Sequence, residues 1–225
     1  MQHYGIEIFK EFDQRFEQEF FKYAKVVSFK KKETPFVNDR LLSYFYIVLM
    51  GKIKSYQIGL ENGKEQTLFV YRTGDMFDTL VLLDNKPHDV LYEVLESTNV
   101  LEIPLKKVRQ WMVENETFRQ HIFTYIASQM RYTETLASDL SLLNTAERLS
   151  KLLLQNMNPT DKHHYQLLDN LSKTEIAKLL GTVRHVVERH LKELEEENII
   201  ENNRKNIYIK DIKKLLANAK PFILN

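Results

Sequence analysis

The sequence predicts an α+β fold in which a β jelly roll is followed by one long helix and then by a helical C-terminal domain closed by a β-hairpin. Between Ser28 and Pro104, short apolar segments alternate with turn signals, as in a domain of many short strands. From Glu116 to Leu143, Ile122, Ile126, Gln129, Thr133, Leu136, Leu140 and Leu143 follow one another at alternating steps of four and three, the spacing of a coiled-coil seam. After Ser172, two short amphipathic patterns meet at Gly181 and run into two β-prone segments. The expected boundaries are a roll with flanking helices over 1–115, the long helix over 116–143, and the final domain over 144–225.

Composition narrows the chemistry. The chain has 225 residues, 43% of them apolar, enough to bury two cores. It contains no cysteine, which removes disulfides, thiolate zinc sites, iron–sulfur clusters and cysteine nucleophiles. The longest uncharged apolar run, YFYIVLM at Tyr44–Met50, is strand-sized and far short of a bilayer span. No basic-then-apolar signal opens the chain. A soluble, cytoplasmic protein with no membrane partner is expected. The formal net charge of +1 says nothing about a polyanionic partner, since binding depends on where the charge sits.

Within the roll, the segments FYIVLM, KIKSYQI, QTLFVY, VLYEVL and NVLEIP are the candidate strands. Asn62-Gly63 marks the clearest hairpin, because a tight turn needs positive φ and this pair tolerates it. Gly51, the stretch from Arg72 to Asp75 and the stretch from Asp84 to Pro87 mark further turns. No H-x-H or comparable ligand set lies between Ser28 and Pro104, so a metal-dependent enzyme built on the roll is not expected. LKKVRQWMVEN then reads as a helix, followed by the long one. The coiled-coil seam calls for a second copy, the alternative being that this stripe packs on the chain's own roll; Phe118, Phe123, Tyr125 and Met130 offer a second apolar face for that purpose, so both faces can be used at once. Asn144-Thr145 restarts a helix, with Thr145 as the expected N-cap. In the loop that follows, adjacent His163 and His164 are read as solvated, because no partner stands at a ligand spacing.

Ser172 with Glu175 three residues later forms a capping-box signature that starts the next helix. Ile176, Leu179 and Leu180 give its core face, and Gly181 supplies the turn, where a left-handed backbone costs it little. In the second helix Val183, Val187, Leu191 and Leu194 form the inner stripe, leaving Arg184, His185, Glu188, Arg189 and Lys192 on the outer face. The segments NIIE and NIYIKD flank a hairpin tip, Asn202 to Lys205. A helix-turn-helix followed at once by such a hairpin is a winged helix. From Leu171 onward the chain carries 11 Lys and Arg against 8 Asp and Glu, with the acids gathered at the far end of the second helix.

In this order and in the segments LSKTEIAKLLGTVRHVVERHLKELEEENII and YFYIVLMGKIKSYQIGLENGKEQTLFVYRTGDMF, the chain resembles the Crp/Fnr family of bacterial transcription regulators. The resemblance implies a cyclic-nucleotide-binding-like roll, a homodimer held by the long helices, and a near-palindromic DNA operator read by one recognition helix per half-site. RNA polymerase is a further implied partner if the protein activates. The family's base-reading pattern R-E-x-x-x-R falls on Arg184, His185 and Arg189, with His185 in place of the glutamate. Ser172, Lys173, Thr174, Lys192 and Lys205 match positions that approach phosphates, contacts that orient without reading sequence. Val183 stands where a phosphate-binding Ser or Thr is common, so Thr182 is expected to cap the helix instead.

The resemblance also points to Asp78, Thr79, Asp89 and, on the long helix, Thr133 as the lining of an effector pocket. Cyclic-AMP-binding members carry a glutamate for the ribose and an arginine for the phosphate, whereas Thr79 and the acidic Asp89 stand near those positions here. Glu134 stands where a serine is usual. An acid facing a phosphate repels it, so any effector is expected to be something other than cyclic AMP, and no resident cofactor is expected. His88 and His3 are read as solvated loop histidines rather than haem ligands. The rival reading is a ligand-binding interaction module without DNA-binding activity, which leaves the winged helix unexplained.

Overall fold

The computed structural model describes residues 9, 12–156, 168, 170–203 and 207–219. It divides into two compact units, Met1–Gln57 with Leu68–Tyr132 and Ile58–Thr67 with Thr133–Asn225.

Two antiparallel sheets make the roll. The first has the order β1 (Lys25–Phe29), β7 (Thr98–Pro104), β2 (Tyr44–Met50) and β5 (Met76–Phe77), and the second the order β4 (Glu65–Tyr71), β3 (Ile53–Ile58) and β6 (Leu91–Val94). The run YFYIVLM is apolar throughout because β2 is covered on both faces. Phe45, Ile47 and Leu49 point into one core and Tyr46 and Val48 into another, as the two-residue period of a strand requires. The inter-sheet core adds Ile53, Tyr92 and Val94 from the second sheet. The opposite core is roofed by helices, with Phe16 and Phe20 from α1 (Gln14–Tyr23) and Val108 and Trp111 from α4 (Leu105–Glu114). Two short helices, α2 (Asn38–Leu41) and α3 (Thr79–Asp84), interrupt the strands.

The roll begins with β1 at Lys25, three residues before the expected boundary, and it is preceded by α1, which is capped by Asp13 Oδ1 accepting from Phe16 N at 2.8 Å. The N-cap Asp13 is followed by an aromatic stripe rather than a regular aliphatic one, and that stripe anchors α1 on Trp111, whose Nε1 donates to Glu19 Oε1 at 2.9 Å.

The long helix α5 covers Glu116–Leu142, one residue short of the expected end. Its first two turns do not offer a free seam. Phe118 and Ile122 are fully buried in the roll's own core, and Tyr125 and Ile126 pack against it. Ile122 therefore leaves the set of seam residues, because a side chain with no exposed surface has nothing left to give a partner. Further along, Met130 and Leu140 are exposed and Leu136 is half-buried.

In the second unit α6 (Thr145–Gln155), α7 (Lys173–Leu179), α8 (Arg184–Glu196) and α9 (Ile212–Ala219) enclose a core that, among the described residues, is aliphatic and includes Leu149, Leu153, Ile176, Val187, Leu191 and Leu215. The expected cap of α6 shifts by one residue. Asn144, not Thr145, is the N-cap, with its side chain accepting from Glu147 N at 3.0 Å and Glu147 Oε2 accepting from Asn144 N at 2.9 Å. An Asn can take part in this reciprocal arrangement as well as a Thr. The hairpin pairs β8 (Ile200–Asn202) with β9 (Ile207–Ile209) in the register Ile200↔Ile209. α9, which closes the core with Leu215, was not evident from the sequence pattern.

Candidate nucleic-acid interface

The helix pair forms as its sequence dictates. Ser172 Oγ accepts from Glu175 N at 3.2 Å and starts α7. Ile176, Ala177, Leu179 and Leu180 are buried, and Gly181 follows in a left-handed conformation at φ +65°. The last turn is closed by Thr182 N donating to Ala177 O at 2.9 Å, satisfying a carbonyl that the helix itself cannot. The hairpin segment of the same unit braces this turn: Lys64 Nζ donates to Gly181 O at 2.7 Å, Gln66 Nε2 donates to Leu179 O at 3.2 Å, and Glu65 pairs with Lys178 at 2.8 Å.

α8 departs from expectation at its start. Its N-cap is Val183, with no side-chain cap, so Thr182 does not take that role. Val183 is also half exposed at 47% and does not belong to the inner stripe, because a residue at the cap precedes the helical period that orients Val187, Leu191 and Leu194 inward. Val183 offers no side-chain acceptor to the first N–H groups of α8, which stand at the positive end of the helix dipole.

The outer face is where the sequence placed it. Arg184, His185 and Arg189 are exposed, on the side opposite buried Val187 and Leu191. The side chains of Arg184, Arg189 and Lys192 are 64%, 63% and 76% exposed. Each cation has an acid one turn on. Arg184 Nε lies 2.9 Å from Glu188 Oε1, Arg189 Nε lies 3.7 Å from Glu193 Oε1, and Lys192 Nζ lies 3.5 Å from Glu196 Oε1. Exposed pairs of this kind are worth no more than about 1 kcal/mol, so they do not lock these cations away from a phosphate or base edge. Ser172 and Thr174 are exposed and Lys173 is half-buried at the start of α7. Lys205 lies outside the described residues, as do His3, His163 and His164.

The expected effector residues are not all alike. Asp78 is buried, holds a left-handed backbone at φ 60° and ψ 45°, and its Oδ1 lies 3.1 Å from His88 Nδ1. Its Oδ2 is buried without a hydrogen-bond partner among the described residues. Thr79 follows as the first residue of α3 and is half-buried. Asp89 is exposed, with its backbone carbonyl accepting from Gln57 Nε2 at 2.9 Å. Thr133 is exposed on α5 and belongs to the second unit. The His88–Asp78 contact was not foreseen, since a ten-residue separation across a loop leaves no periodic signal. Among the described residues, no group of three or more His, Cys, Asp or Glu could hold a metal ion, and no helix is long and apolar enough to cross a membrane.

The chain thus combines a jelly roll, a long helix and a winged helix whose α8 outer face carries exposed cations. Residues 26–115 match the cyclic nucleotide-binding domain model and residues 147–217 match the Crp-like helix-turn-helix domain model. The chain is 24% identical over 204 residues to a CRP-like cAMP-activated global transcriptional regulator of Mycobacterium tuberculosis, covering 88% of this chain and 90% of that one. It is 28% identical over 179 residues to the transcriptional regulator flp of Lacticaseibacillus casei, covering 80% of each. In structure it is similar to FixK2 from Bradyrhizobium japonicum, with a TM-score of 0.77 at 20% identity, covering 88% of this chain and 98% of that one. The chain belongs to the Crp/Fnr family of DNA-binding transcription regulators.

Proposed function

We propose that the protein acts as a homodimer on a near-palindromic operator, with Arg184, His185 and Arg189 reading base edges and Ser172, Lys173, Thr174, Lys192 and Lys205 approaching phosphates. One observation supports this reading above the others: the α8 face bearing Arg184, His185 and Arg189 is exposed while the opposite stripe is buried. An arginine fork donates two hydrogen bonds to guanine O6 and N7, a contact worth roughly 1–3 kcal/mol of discrimination. His185 donates to guanine or phosphate and accepts only when neutral, so the operator departs from the common family half-site at the base pair beneath it. The dimer seam runs through Gln129, Thr133, Leu136 and Leu140, with Ile126 at its start and Ile122 excluded. A small molecule other than cyclic AMP acts through the roll near Asp78 and Thr79, favouring one dimer geometry over another, since a ligand that binds both equally shifts nothing. RNA polymerase is a partner where the operator's position permits activation.

A gel shift on a palindromic duplex tests the reading. Affinity is expected to fall steeply between low and moderate salt, as counterion release requires, and the double variant Arg184→Ala/Arg189→Ala is expected to lose operator preference. Unchanged operator binding by that variant would reject the site.

A further inference from the structure

We infer that Glu188 is a positioning residue for base readout, holding the Arg184 guanidinium from its Nε side so that the far end of the fork faces a guanine edge. The inference rests on the reading of Arg184 as a base-contacting residue.

Three basic residues on the outer face of α8 have an acid four residues on, and only one of the three pairs is a hydrogen bond. Arg184 Nε donates to Glu188 Oε1 at 2.9 Å, whereas the Arg189–Glu193 and Lys192–Glu196 pairs stand at 3.7 and 3.5 Å. No other hydrogen-bond partner of Arg184 is found among the described residues, so Nη1 and Nη2 remain free. Guanidinium donors lie in one rigid plane. With Nε held, the plane is fixed, and the two Nη groups are left as the parallel donor pair that guanine O6 and N7 accept.

The arrangement also answers what an acid is doing on a face meant for DNA. A free carboxylate there would repel phosphates. One engaged with Arg184 offsets that repulsion by reducing the rotamer freedom the arginine must lose on binding. Glu188 is 38% exposed in its side chain, so it can hold this contact with the helix lying in a groove.

The experiment uses the full chain and a panel of operator duplexes changed one base pair at a time. Arg184→Ala is expected to abolish discrimination at one base pair of each half-site, which identifies the guanine it reads. Glu188→Ala is expected to lose about ten-fold in discrimination at that same base pair and to leave the base pair read by Arg189 unaffected. Glu188→Gln, whose amide oxygen accepts the same hydrogen bond, is expected to retain most of the discrimination. Thermal melts of both variants are expected to match the unmodified protein, because the pair is exposed. Tighter binding of Glu188→Ala to every duplex alike, with discrimination intact, would overturn the inference by showing that the acid only repels phosphate. Loss of discrimination in Arg184→Ala beside an unchanged profile in Glu188→Ala overturns the inference alone. An unchanged profile in Arg184→Ala removes the base-contact reading, and the inference with it.

Discussion

Gly181 and Asp78 both hold left-handed backbone, and the contrast between them separates what a sequence discloses from what it hides. A glycine between two amphipathic patterns announces its turn, because only glycine adopts that conformation freely. Gly181→Ala is expected to destabilise the second unit by about 1–2 kcal/mol, since its Cβ would also stand 2.8 Å from Gln66 Oε1 and force that side chain to move. A lowered urea midpoint in the variant is the check. Asp78 gave no such signal. Its strain and its buried Oδ2, without a hydrogen-bond partner among the described residues, are imposed by tertiary packing, and strain retained at such a position points to a role in the site. Asp78→Gly is therefore expected to stabilise the roll by about 1 kcal/mol or more, again read as a urea midpoint. A destabilised variant would show that the His88 contact outweighs the strain.

Among the elements, the long helix was legible in extent but not in partnership. The alternating four-and-three repeat predicts a helix over 116–143, and α5 ends one residue earlier. The same repeat assigned Ile122 to the seam, yet its side chain is fully buried in the roll's core while Leu140 is 38% exposed. Periodicity fixes which residues share a stripe, and it carries no information on what covers each part of that stripe. The exposed end is where a second copy is proposed to bind, so Leu136→Asp/Leu140→Asp is expected to give a monomer by analytical ultracentrifugation, with its helical signal kept. A dimer of unchanged stability would place the seam elsewhere. An acid three residues on marks the cap in both cases, Glu175 for Ser172 and Glu147 for Asn144, whereas Thr145, the expected cap, has Arg148 at that spacing. Asn144→Ala removes both a side-chain acceptor and its half of a reciprocal box, and is expected to cost about 1 kcal/mol.

At the scale of the whole molecule the two units are built from different chemistry, and pH separates them. The roll's cores are rich in aromatic residues, whereas the core around the helix-turn-helix is aliphatic among the described residues. Burial raises the phenol groups of Tyr46, Tyr71, Tyr92 and Tyr125 above the usual value of 10.0, and all four belong to the roll's unit. At Tyr46 the neighbouring Glu102 carboxylate adds to the effect, with the phenol hydroxyl donating to Glu102 Oε2 at 2.9 Å. A raised acid resists ionisation in the folded state, so unfolding releases protons once the solution passes the ordinary phenol range. The stability is therefore fully present below about pH 10 and declines as pH rises above it. Trp111 is the sole tryptophan and lies fully buried in the roll, so its fluorescence reports that unit alone. Its urea midpoint is expected to be flat through neutral and mildly alkaline solution and to fall beyond about pH 10. Tyr46→Phe removes one of the four groups and is expected to make that fall shallower, at the cost of leaving Glu102 with only Arg40 to satisfy its Oε2. A midpoint that stayed level to about pH 12 would mean that the phenols ionise inside the folded roll, which would require water to reach a core from which the packing of Tyr46 on Phe77, with ring centroids 5.0 Å apart, excludes it.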